Sequence, residues 1–108
     1  MAEYTLTEVF GAGATQTGST LTIQKAALPG LTTDAANSAE SLVVGLLVLW
    51  LQTLTDVNRL ADETNRQITV TDAGVDIVAG QVDDFFRRSY AISLYKIFAI
   101  APLDPDEY

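Results

Sequence analysis

Four aspartates carry the chain's clearest claim to chemistry. Asp72 and Asp76 flank Ala73-Gly74, and Asp83-Asp84 follow Gly80. Grouped carboxylates can hold a hard cation or act in pairs as acid and base. A Ca²⁺ site needs several oxygens converging at about 2.3–2.6 Å, whereas Thr71-Asp72-Ala73-Gly74-Val75-Asp76 supplies two carboxylates. Glycoside hydrolysis needs two carboxyl groups across a cleft, which a chain of 108 residues with no other candidate polar groups hardly builds. The four aspartates are therefore read as turn residues. The chain has no histidine, which excludes a Ser-His-Asp triad within one chain. It has no cysteine, which excludes disulfides, thiolate metal sites and thiol nucleophiles. A Ser-Lys dyad would have to use Lys25 or Lys96, and neither sits in a recognisable motif. Gly11-Ala12-Gly13 opens like a dinucleotide fingerprint, but Gln16 stands where the third glycine belongs. Gly18-Ser19 lacks the lysine of a phosphate loop. No catalytic, cofactor-binding or metal-ligating residue is assigned, and the protein is expected not to be an enzyme.

The charge balance narrows the partners. Six Lys+Arg face fourteen Asp+Glu, for a formal charge of −8. Such a surface repels phosphate, which argues against nucleic acid and against an anionic membrane. Met1-Ala2-Glu3-Tyr4-Thr5-Leu6 has neither the basic nor the apolar region of a secretory signal. The length predicts one small domain over residues 1–101, followed by an extended acidic tail over 102–108, punctuated by Pro102 and Pro105.

Residues 4–10 alternate like a short strand, and so do Thr20 to Ala26. The small residues Gly11 to Ser19 join them as a flexible loop. Asn37, with Glu40 three residues on, fits a capping box, so a helix begins near Ser38. Next come ten consecutive residues, Leu42 to Leu51, without a polar side chain. Five leucines and the cap favour a helix. Val43, Val44, Val48 and Gly45 favour the alternative, a buried strand. The helix then turns amphipathic and continues to about Thr64, with a break near Thr53–Thr55 and with Arg59–Glu63 and Asp62–Arg66 at pairing distance. Gln67 to Thr71 alternates, Asp72-Ala73-Gly74 signals a turn, and Val75 to Ala79 returns. Gly80 marks a second turn, before a long β-prone stretch from Phe85 to Ile100. The predicted class is α+β, an antiparallel sheet of hairpins packed on one apolar central helix. The alternative is an all-β sandwich with residues 42–54 as a buried central strand.

The apolar run has a consequence for assembly. A helix apolar all round must be buried all round, and so must a strand apolar on both faces. The chain's own sheet covers one side, and little remains to cover the other. A second copy, or a neighbour in a larger assembly, is the economical answer. Leu46, Leu47, Leu49, Trp50, Leu51 and Leu54 are the predicted interface residues, with Trp50 read equally well as a core aromatic whose indole N–H finds a carbonyl. Arg87 and Arg88 point to opposite faces of a strand and are assigned to salt bridges across a strand pair or between subunits.

This layout (short, acidic, cysteine-free, rich in Thr, Ala and Gly, with hairpins and one apolar element) resembles the small virion proteins of tailed bacteriophages. Residues 89–100 and the ending Asp104 to Tyr108 are similar to small cyanobacterial or cyanophage proteins. The resemblance implies a particle component such as a capsid cement or decoration protein, or a tail or neck protein. It would partner itself and other virion proteins, without cofactor, nucleic acid or membrane, and reside in the virion or the cytoplasm. The alternative function is a small cytoplasmic adaptor or regulatory module that binds protein through Trp50 or the acidic tail.

Overall fold

The computed structural model describes residues 3–96 and 102–108. In chain order its elements are α1 (Leu6–Phe10), β1 (Thr15–Gln16), β2 (Leu21–Thr22), α2 (Ala39–Thr53), α3 (Asp56–Leu60), β3 (Ile68–Ala79) and β4 (Asp84–Leu94). Single 3-10 turns lie at Lys25–Ala27 and Pro105–Glu107. The fold is α+β, and β1–β2 and β3–β4 form separate antiparallel pairs.

The apolar run is helical. Ser38 caps α2, its hydroxyl accepting the Ser41 N–H at 3.1 Å. Asn37, the predicted cap, instead closes the preceding turn: its Oδ1 accepts the Asp34 N–H at 2.9 Å and its amide donates to the Thr32 carbonyl at 3.0 Å. The helix breaks at Leu54, and Thr55 caps α3 by accepting the Asn58 N–H. Gly45 and Leu49 form its buried side. Leu28 lies so close to Gly45 that a Cβ there would stand 3.2 Å from the Leu28 Cβ. Ala14, Leu28, Leu49, Leu54 and Val70 are the buried apolar residues. The Leu54 carbonyl accepts the Val70 N–H at 2.8 Å, which fastens the end of α2 to the root of β3.

Residues 4–10 do not form the predicted strand. Thr5 Oγ1 accepts the Glu8 N–H at 3.2 Å while Glu8 Oε1 accepts the Thr5 N–H at 2.9 Å, a reciprocal capping box that starts α1. Hydrogen bonding from the Thr5 backbone N–H, and next from the Thr5 hydroxyl, holds the Glu8 carboxyl below the usual glutamate range. The strand predicted at residues 20–26 shrinks to Leu21–Thr22, paired with Thr15–Gln16 rather than with the N-terminal segment.

The second hairpin is longer and simpler than predicted. Asp72-Ala73-Gly74 does not reverse the chain. It is a β-bulge: Asp72 faces Tyr90 and Gly74 faces Ser89, leaving Ala73 extra. The Asp72 carboxylate accepts the Gly74 N–H at 2.8 Å, and Gly74 takes φ +105°, a region that side chains disfavour. The reversal comes at Gly80, whose N–H donates to the Asp83 carbonyl at 2.9 Å. Residues 97–100 of the predicted last strand lie outside the described residues. The tail is not extended as predicted. Asp104 caps the turn that Pro105 begins, and Lys96 donates to the Glu107 carbonyl with its ammonium 5.1 Å from the Tyr108 ring centre.

Two measurements check this packing. Gly45→Leu forces Leu28 out of the core and should cost about 1–3 kcal/mol, read as a lower midpoint of thermal unfolding. Thr5→Ala removes a helix cap worth about 1 kcal/mol. Because Trp50 holds α1 (its indole N–H donates to the Val9 carbonyl at 2.7 Å), this variant should shift Trp50 fluorescence to the red while unfolding stays cooperative.

Candidate functional site

The aspartates spread out rather than converge. Asp72 belongs to the bulge, Asp76 pairs with Arg87, Asp83 closes the turn through its carbonyl, and Asp84 faces Ala79 across the ladder. Among the described residues, no three carboxylates gather as metal ligands would. A shallow hollow of about 440 Å³ lies beside α1, lined by Tyr4, Leu6, Val9, Phe10 and Gln16, with Glu3 its titratable acid. Burial pushes the Tyr4 hydroxyl above its ordinary pKa, and Glu3 is the one other titratable group lining the hollow among the described residues.

The surface that stands out is the distal half of the second hairpin. Beyond the bulge, residues 74–89 form an arm on which Val75 faces Arg88, Ile77 faces Phe86 and Val78 faces Phe85. Strand alternation puts Val75, Ile77, Phe86 and Arg88 on one face and Val78, Phe85, Asp76 and Arg87 on the other. Both faces therefore carry apolar side chains: Ile77 is 74% and Phe86 61% exposed on one, Phe85 is 58% exposed beside a half-buried Val78 on the other, and Val82, in the turn, is 93% exposed. A two-stranded hairpin alone is at best marginally stable in water. The root behaves differently, since Val70 is 3% exposed and lies against the end of α2.

A solvent-exposed ion pair spans the arm. Arg87 Nε and Nη2 reach the two Asp76 oxygens at 2.8 and 2.5 Å, a bidentate cross-strand pair. Arg87 hydrogen bonding holds the Asp76 carboxyl below the usual aspartate range. Of the two salt-bridge settings expected for Arg87, across a strand pair or between subunits, it takes the first. Arg88 lies on the opposite face as predicted, its guanidinium 5.0 Å from the Phe86 ring centre, and it has no carboxylate partner among the described residues.

A second open surface lies on α2. Glu40, Val43, Val44, Leu47 and Leu51 follow one another at one- to four-residue spacing on the side away from Gly45 and Leu49. Val43 and Val44 are 63% and 56% exposed. The predicted interface set divides across the helix. Leu49 and Leu54 belong to the chain's own core, and Trp50 is half-buried against α1. Leu46, Leu47 and Leu51 are half-buried. Val43 and Val44, outside that set, are the most open. Charge periodicity could not have found them, but their place opposite Gly45, where Leu28 seats, identifies them.

The cross-strand pair gives a pH test. The folded pKa of Asp76 lies below its unfolded value, so its contribution is complete above the unfolded pKa, about 3.9, and disappears as pH falls through the folded one. Protection of the amides between residues 74 and 89, measured against intrinsic exchange at each pH, should therefore fall in acid before that of the root, and Asp76→Ala should lower it at neutral pH. Among the described residues, no helix is long and apolar enough to cross a membrane. Compared with protein-family models, curated proteins and solved structures, the chain matches none, so the arm and the open face of α2 carry its functional assignment.

Proposed function

We propose that this protein is a non-enzymatic structural subunit that assembles with copies of itself, as a component of a virus particle of the tailed-bacteriophage kind. The surplus of surface carries this assignment. A compact monomer of 11.6 kDa exposes about 5,800 Å², whereas this chain exposes 7905 Å². Its radius of gyration is 16.4 Å, against about 13 Å for a compact chain of this length. The excess of about 2,000 Å² is of the size that obligate subunits bury. Large apolar side chains stand open on the arm and on α2, and also on α3, where Val57 and Leu60 are exposed. The small, cysteine-free, acidic layout with hairpins agrees with a capsid decoration protein or a tail or neck component, whose place is in the virion.

Light scattering during size exclusion tests the assembly directly. At micromolar concentration the native mass should be a multiple of 11.6 kDa. Each copy carries −8, so added salt should strengthen association by screening mutual repulsion. A monomer that persists at every salt concentration overturns the proposal.

A further inference from the structure

Self-assembly alone does not say which surfaces meet. We infer that the arm of one copy docks on the outer face of α2 of a second copy, with Ile77 and Phe86 against Val43 and Val44 and the Arg88 guanidinium against the Glu40 carboxylate. This rests on the structural-subunit assignment above and specifies its contact.

Four observations carry it. Both surfaces are exposed within one chain, so neither covers the other there. Their patterns match. On the arm, Arg88 lies two residues from Phe86, about 7 Å along the strand, on the face that Ile77 shares. On α2, Glu40 lies one turn, about 5.4 Å, before Val43 and Val44. Each surface thus sets an apolar pair beside one charge that has no ion-pair partner among the described residues, and the charges are opposite. The overall charge distribution agrees: residues 74–89 hold three aspartates and two arginines, so the arm carries −1 and the rest of the chain −7. The arm thus carries little of the net charge with which a second acidic chain would repel it.

The area agrees as well. A standard interface takes about 800 Å² from each partner. The excess of about 2,000 Å² over a compact monomer therefore suffices for two patches per chain, one given by the arm and one by the helix. Arm-on-arm pairing would leave Val43 and Val44 bare. Because the two patches differ, the contact is heterologous: every copy keeps a free arm at one end and a free helix at the other, and the series closes as a ring or runs on as a filament.

Cross-linking tests this cleanly because the chain has no cysteine of its own. Val44→Cys and Val75→Cys replace exposed side chains, and circular dichroism verifies that each variant folds. Treated with a short bis-maleimide, a mixture of the two single variants should give a cross-linked dimer, and the double variant a ladder of multimers. Charge exchange gives a second readout. Arg88→Glu and Glu40→Arg should each weaken association about tenfold by opposing like charges, and the two together should restore it. Efficient cross-linking of Val75→Cys alone would show arm-on-arm pairing and overturn the inference. So would a multimeric protein that gives no cross-link between positions 44 and 75, or a double charge exchange that fails to recover; self-assembly would then stand without this contact. A monomeric unmodified chain would remove both.

Discussion

A helix that is apolar around its whole circumference needs cover on every side, and this chain is too short to supply it. Everything else in the structure is arranged around that shortage. Leu28 packs on Gly45, Leu49 and Leu54 are buried, and Leu54 is tied through its carbonyl to Val70. The N-terminal helix is tied on by one indole hydrogen bond from Trp50. The hairpin is rooted where α2 ends. These contacts use up one side of the helix. With so few buried apolar residues, the rest of the hairpin finds nothing in its own chain to lie against, and it projects.

Much of this was legible in the residues, and what was not has a physical cause. A ten-residue apolar run, a cap at its start and a break at Thr53–Thr55 specify a helix whichever way it faces. Which side faces inward depends on Leu28, a residue remote in sequence, so Leu49 and Leu54 turn to the core and Val43 and Val44 turn out. Alternation at residues 4–10 suits a strand, yet the Thr5–Glu8 spacing was a helix start in plain view, and two reciprocal hydrogen bonds outweigh the alternation. Asp-Ala-Gly supplies the backbone freedom that a bulge and a turn both require. Local sequence does not distinguish them, because the decision lies with Tyr90, Ile92 and Leu94, which pair with β3 on the far side of the hairpin. The period-two rule did place Arg87 and Arg88 on opposite faces, but not their different partners.

The few cations are used in an unexpected way for so acidic a chain. The guanidinium of Arg59 lies 3.7 Å from the Tyr95 ring centre, and that of Arg66 lies 4.7 Å from the ring centre of Tyr4. Arg88 and Lys96 sit over Phe86 and Tyr108. Arg66 also donates to the Asn58 carbonyl at 2.8 Å. Among the described residues, four of the six cations thus lie over aromatic rings. The ring faces attract cations and stay in contact with apolar neighbours, so Arg59 joins α3 to the end of the hairpin root and Arg66 joins the segment before β3 to the N-terminus, where a small core alone would hold them loosely. The helical Arg59–Glu63 spacing, attractive on paper, yields to Tyr95, which offers Arg59 a less solvated seat.

The bulge at Ala73 sets the phase of the arm. Strand residues keep time with a period of two, and one inserted residue shifts the beat for everything after it. Were Ala73 paired in the ladder, Val75 and Ile77 would share a face with Thr69 and Thr71, and Asp76 would fall beside Phe86 instead of Arg87. The root and the arm are therefore read in different frames, joined at a glycine. Because β4 runs through without a matching insertion, loss of Ala73 would bring Gly74–Ser89 directly after Asp72–Tyr90, and the arm would keep the face it now presents; a lineage could drop the bulge or rewrite the arm without disturbing the root.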